Sequence, residues 1–152
     1  MLSNNPDQRD LFRKPLYESR EPVLAIDPDR FRLRMKTAMS ATLREQDVDR
    51  HEIANEMARI LGSDSFSKGM LDNYCSPSKH DHDISLLRFK AFVRVTGDNS
   101  LWDLAVSDDG LLMLEGDEAR FAEIARLEQE KQMIGKQLSV LRKSPVAVKR
   151  GK

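Results

Sequence analysis

The chain has 152 residues, 33% of them charged and 39% hydrophobic, with a formal net charge of zero. That length fits one domain with a core plus appendages rather than two full domains, and the neutral balance excludes a strongly cationic, non-specific nucleic-acid binder. The single cysteine, Cys75, excludes an internal disulfide; with no signal-peptide pattern in MLSNNPDQRD and no apolar run near the roughly 18 residues of a membrane span, the expectation is a cytoplasmic protein with no membrane partner.

Residues 1–21 mix charges around Pro6 and Pro15 without a period, and read as a flexible arm. Leu11, Phe12, Leu16 and Tyr17 are apolar enough to dock, either on the arm's own domain or on a neighbouring subunit. Pro22 to Ile26 is short and β-favouring. Asp27-Pro28 then starts a helix, Asp as N-cap and Pro in the first turn, that runs to about Arg44. Phe31, Met35, Ala38, Met39 and Thr42 form its inward face. Arg30, Arg32, Arg34 and Lys36 cluster in its first half, as a solvated face or as phosphate contacts. Arg30 and Arg34, four apart on one face, are the better pair for phosphate.

The stretch 49–105 reads as four short helices inside a domain spanning 22–106. Asp49 with Glu52 has the form of a capping box before a helix to Leu61, whose apolar face is Ile53, Ala54, Met57, Ala58 and Leu61; Gly62 stops it. A polar link, Ser63 to Phe66, leads to Ser67, the cap of a helix from Lys68 to about Tyr74. Met70, Leu71 and Tyr74 point one way; Lys68, Gly69, Asp72 and Asn73 point the other. Two short helices with a tight polar joint, the second turned outward with small and polar residues, is the sequence form of a helix-turn-helix.

A loop containing Ser78, Lys79 and His80 follows, as a solvated connector or as donors to phosphate. Ser85 caps a helix from Leu86 to Thr96 that is expected to be buried on more than one side, through Leu86, Leu87, Phe89, Phe92 and Val93. Gly97 ends it, and Leu101 to Val106, with Trp102, closes the core.

Three phrases in this stretch, EIANEMARILG (52–62), SKGMLDNYCSPSKHDHDI (67–84) and LLRFKAFVRVTGDNSLWDLA (86–105), resemble repressor-type helix-turn-helix domains of the lambda-repressor and Cro class. More narrowly, they are similar to small proteins encoded near the transposition genes of Mu-like phages and prophages. The resemblance implies an all-α, lambda-repressor-like domain and DNA binding or phage regulation. On this reading Lys68 and Asn73 meet bases, with bidentate contact to adenine from Asn73, and Ser67 meets phosphate near a helix N-terminus. Asp72 is the difficulty: it accepts from a cytosine amino group, or it marks a face that meets protein.

Residues 107–116 read as a turn and a short strand, Leu111 to Leu114, expected to pair with Val23 to Ile26 as a minor two-stranded β element in one subunit or across a dimer. Residues 117–142 form a long helix. Ile124, Leu127, Lys131, Ile134, Leu138 and Leu141 follow at spacings of three and four, a heptad row with one polar interruption, and Phe121 lies beside it. This row dimerises the chain or packs on its own domain. Residues 143–152 read as a basic disordered tail.

Charge is distributed unevenly, with 12 basic against 13 acidic residues over 27–107. A DNA reader without positive excess binds weakly, binds as an oligomer, or uses a local basic patch. No glycine-rich phosphate loop and no carboxylate pair in an apolar setting appears, and Cys75, His80 and His82 lack the paired spacing of a zinc site. The expectation is a non-enzyme without cofactor or metal. Two functions stay open: a homodimeric regulator of double-stranded DNA, or a scaffold that keeps the fold and joins phage transposition or regulatory proteins through its C-terminal helix and N-terminal arm.

Overall fold

A computed structural model describes residues 19–144, which form six helices: α1 (Pro28–Glu45), α2 (Arg50–Leu61), α3 (Lys68–Cys75), α4 (Leu86–Thr96), α5 (Ser100–Val106) and α6 (Gly116–Lys143). The chain divides into two compact units, one ending at Met113 and the other starting at Leu114. The expectations for Leu11, Phe12, Leu16 and Tyr17, and for residues 145–152 of the tail, lie outside the described residues.

Local sequence sets most boundaries. The Asp27 carboxylate accepts from the Arg30 N–H at 3.0 Å and Pro28 opens α1. Ser67 and Ser85 cap α3 and α4 by accepting from the Met70 and Arg88 N–H groups. Gly62 ends α2 at φ 59°, a left-handed value that costs glycine little. The Asp49–Glu52 capping box does not form: Asp49 occupies the N-cap but its side chain makes no capping bond.

The first unit is built around Met39, Ile53, Met57, Leu71, Phe92, Val93 and Leu101, all essentially out of water. α2 packs on α3 and α4, while α1 packs on α3 and α5. Each such side chain contributes about 1.5–3 kcal/mol through burial, which offsets the entropy of ordering five short helices. Phe66, expected in a polar link, is instead buried. Its ring stacks at 6.4 Å from that of Tyr74 on α3, and the Arg88 guanidinium of α4 lies over both rings. Arg88 also donates to the Tyr74 hydroxyl. The α2–α3 joint is therefore fixed by an aromatic anchor, with only Ser63 to Ser65 left polar.

α4 also departs from expectation. Phe89, Ala91, Phe92 and Val93 are buried, but Leu86 and Leu87 are 72% and 67% exposed. They stand in the first turn, beyond the reach of the core.

The expected two-stranded element is reduced to a single antiparallel bridge, Pro22 to Asp109, with the Val23 N–H donating to the Asp108 carbonyl at 2.8 Å. Pro22 has no N–H to extend a ladder. The bridge lies ahead of both apolar runs, and Val23, Leu24, Ile26 and Leu111 remain exposed. Gly110 is required at this contact: its φ is +72°, and a Cβ there would lie 2.8 Å from the Pro22 nitrogen and Cδ. Nearby, Arg20 grips Asp103 with two bonds of 2.7 and 2.9 Å and donates to the Leu111 carbonyl, so the expected free arm is already anchored at residue 20. Asp103 also accepts from the Met113 N–H.

The second unit is α6, a 28-residue helix with no buried side chain. Its start comes earlier than expected, because Glu115 and Glu118 supply the capping box that Asp49 and Glu52 do not, with the Glu118 carboxylate accepting from the Glu115 N–H at 3.0 Å.

Candidate functional site

α3 places Leu71, Tyr74 and Cys75 against the core and holds Lys68, Asp72 and Asn73 half-exposed, with Gly69 exposed beside them. Ser67, also exposed, stands at its N-terminus. The feature that sequence reasoning missed on this face is its internal pairing. Asp72 accepts from Lys68 Nζ at 2.8 Å and from Arg50 of α2 at 2.9 Å. Burial alone would raise the Asp72 pKa, but the bonds from Lys68 and Arg50 hold it below the ordinary carboxylate value. The three side chains together carry a charge of about +1, since two cations flank one anion. Asp72 is thus not an isolated acid on the face. The Lys68–Asp72 half of this pairing had a signal in the spacing, four apart on one helix, whereas Arg50 is brought in by tertiary packing.

The loop after α3 is tied down from α1. Lys36, grouped by sequence with the solvated arginines, is buried. Its Nζ donates to the His82 carbonyl at 2.6 Å and to the Asn73 carbonyl at 3.3 Å. Burial pushes its pKa down. The ammonium lies at the C-terminal turn of α3, where free carbonyls and the helix dipole favour a cation. Arg32 grips Asp83 with bonds of 2.7 and 2.9 Å and also holds Asp29. These anchors leave Ser78, Lys79 and His80 exposed at the loop's tip.

The basic run on α1 is therefore largely internal. Arg34 donates to both oxygens of Asp108 and to the Ser107 hydroxyl, so a phosphate would compete with a carboxylate for it. Arg30 is exposed. The pair expected from spacing is split into one exposed cation and one engaged cation.

Between α1, α4 and α5 lies an apolar groove of about 440 Å³, lined by Phe31, Met35, Leu86, Phe89 and Trp102, with Arg32, Lys36 and Asp83 at one side. Phe89 and Trp102 meet edge to face at 4.8 Å on its wall.

Burial pushes the Cys75 thiol up to about 12, which keeps it protonated and poorly nucleophilic at neutral pH. Among the described residues, no group of three or more His, Cys, Asp or Glu side chains is placed to hold a metal ion. No helix among them is long and apolar enough to cross a membrane.

Compared with known proteins, the chain matches no family model, no curated protein and no solved structure.

Proposed function

We propose that the protein is a phage or prophage regulator that binds double-stranded DNA through a lambda-repressor-like helix-turn-helix, α2 and α3, and acts as a homodimer in the host cytoplasm. The observation that carries this reading is α3 itself: capped by Ser67, pressed on the core through Leu71, Tyr74 and Cys75, and left half-exposed at Lys68, Asp72 and Asn73. In a major groove, Asn73 suits bidentate contact with adenine and Lys68 suits guanine. Gly69 carries no side chain to hold the backbone off DNA; a Cβ there would meet only the Ser67 hydroxyl, at 3.8 Å. The Ser67 end, Ser78, Lys79, His80 and Arg30 are the groups for phosphate, with Arg34 recruited if it leaves Asp108. No step requires a cofactor, metal or enzymatic group.

A second reading is a non-enzymatic adaptor that joins phage transposition or regulatory proteins. The Asp72 pairing favours it, because a neutralised Lys68 binds phosphate and bases more weakly, and the exposed apolar row of α6 offers a working surface.

Gel shifts with phage DNA over a range of salt separate the two. The regulator forms a retained complex whose preference changes at particular bases on Asn73→Ala. The adaptor forms none at moderate salt and is retained on a phage protein instead.

A further inference from the structure

α6 presents both an apolar row and a charge pattern that selects an occupant.

No side chain of this 28-residue helix is buried, and Ile124, Leu127, Ile134 and Leu138 each stand 43–49% exposed. An apolar row of that length in water gains free energy on pairing with a like row. With Ile124, Lys131 and Leu138 at heptad position a, and Leu127, Ile134 and Leu141 at d, the flanking g positions are Glu123, Glu130 and Gln137. The flanking e positions are Phe121, Glu128, Gly135 and Arg142.

A parallel, in-register pair of such helices stacks Lys131 on Lys131 of the second copy and sets Glu123 against Glu128. Both contacts are like-charged. An antiparallel pair centred between Gln132 and Met133 opposes Ile124 with Leu141, Leu127 with Leu138, and Lys131 with Ile134. The Lys131 stem then packs on an apolar neighbour while its ammonium reaches water. Along the flanks Glu128 meets Gly135, Glu130 meets Gln137, and Phe121 meets Arg142. The overall charge agrees. Residues 116–130 carry five carboxylates against two arginines, and residues 131–143 carry four cations and no acid. Only the antiparallel arrangement lays the acidic half on the basic half.

We infer that α6 is a self-association element in which two copies of this chain pair antiparallel, through the row from Ile124 to Leu141. This deepens the dimer in the proposed function and gives it an orientation. The two Gly116 ends then lie about 50 Å apart, from a rise of about 1.5 Å per residue.

The test uses the full chain. Sedimentation equilibrium gives the mass of the wild type and of Leu127→Asp; a dimer and a monomer are expected. Pulsed electron spin resonance on Cys75→Ala/Ala122→Cys, labelled at residue 122 on the outer face, then gives the orientation. A separation of about 40 Å is expected for the antiparallel pair, from an axial offset of about 31 Å between outward labels, and about 25 Å for a parallel one, which has no axial offset. Circular dichroism confirms that each variant keeps its helix content. A wild-type monomer, a dimer that survives Leu127→Asp, or a short spin distance overturns the inference. Neither measurement involves DNA, so its failure is distinct from failure of the DNA-binding reading.

Discussion

Lys68 and Asp72 close an ion pair of 2.8 Å across one turn of α3, and Arg50 reaches the other oxygen of the same carboxylate from α2. One acid therefore links the two helices and pairs the Lys68 ammonium. The face is not charged for indiscriminate attraction. On the regulator reading, a groove that offers better acceptors than Asp72 releases Lys68 toward it.

Asp72→Asn tests that relation. The change removes one negative charge from the face while keeping a similar shape. Stability falls by no more than about 1 kcal/mol, since the pair is a third exposed and screened by solvent. DNA affinity at low salt rises several-fold, and the dependence of affinity on salt steepens as Lys68 and Arg50 become available to phosphates. Fluorescence anisotropy across a salt series measures both. Unchanged affinity and slope contradict the arrangement.

Lys36→Met keeps the aliphatic stem and deletes the donor to the His82 and Asn73 carbonyls. The loss is about 1–3 kcal/mol, because two sheltered acceptors lose a charged partner. The loop at 76–85 loosens in the same variant. Chemical denaturation reads the first effect, and faster proteolysis within that loop reads the second.

Cys75 gives a signature at alkaline pH. Its thiol titrates near 12 in the folded protein against an ordinary 9.0. The unfolded chain loses this proton first. The thiol's contribution to stability is therefore complete below 9 and declines as pH rises from 9 toward 12. Denaturant melts of the wild type and Cys75→Ala across that range will converge as the wild type loses the contribution. The lowered Lys36 pKa acts with the opposite sign in its own window, and because Lys36 and Cys75 act on each other electrostatically the comparison is repeated on a Lys36→Met background. A thiol reagent will modify Cys75 far more slowly in the native protein than after denaturation.

Gly110→Ala strains the Pro22–Asp109 bridge in two ways, by its φ of +72° and by a 2.8 Å clash with Pro22. The expected cost is about 1–3 kcal/mol, seen as a lower midpoint in thermal unfolding. Amide exchange at Val23, whose N–H donates across this contact, rises with it.

Helix positions were legible in the sequence because the signals are local. Asp27-Pro28, Ser67, Ser85, Gly62 and Gly97 each act within one turn of the helix they start or stop, and the spacing of Met35, Met39, Ile53 and Met57 reports an inward face directly. Several of the misses share one cause: a side chain's partner came from another element of the fold. Phe66 looked like part of a polar link until Tyr74 and Arg88 surrounded it. Arg32, Arg34 and Lys36 looked like one basic patch, but each is claimed by something at least 37 positions away. Val23 to Ile26 and Leu111 to Leu114 had strand-like composition, yet Pro22 leaves room only for a bridge. On the candidate site, the outward set Lys68, Asp72 and Asn73 was readable from periodicity, whereas the part Arg50 plays in setting its charge was not.

In the proposed function, the outward face of α3 reads DNA sequence. Selection of bound duplexes from a random-sequence library by the full-length protein, repeated with Asn73→Ala, tests this most directly. The predicted result is a reproducible enriched motif in which Asn73→Ala loses preference at one or two positions while binding to the rest of the motif persists. No enrichment over several rounds, or a motif that Asn73→Ala leaves unchanged, would contradict it.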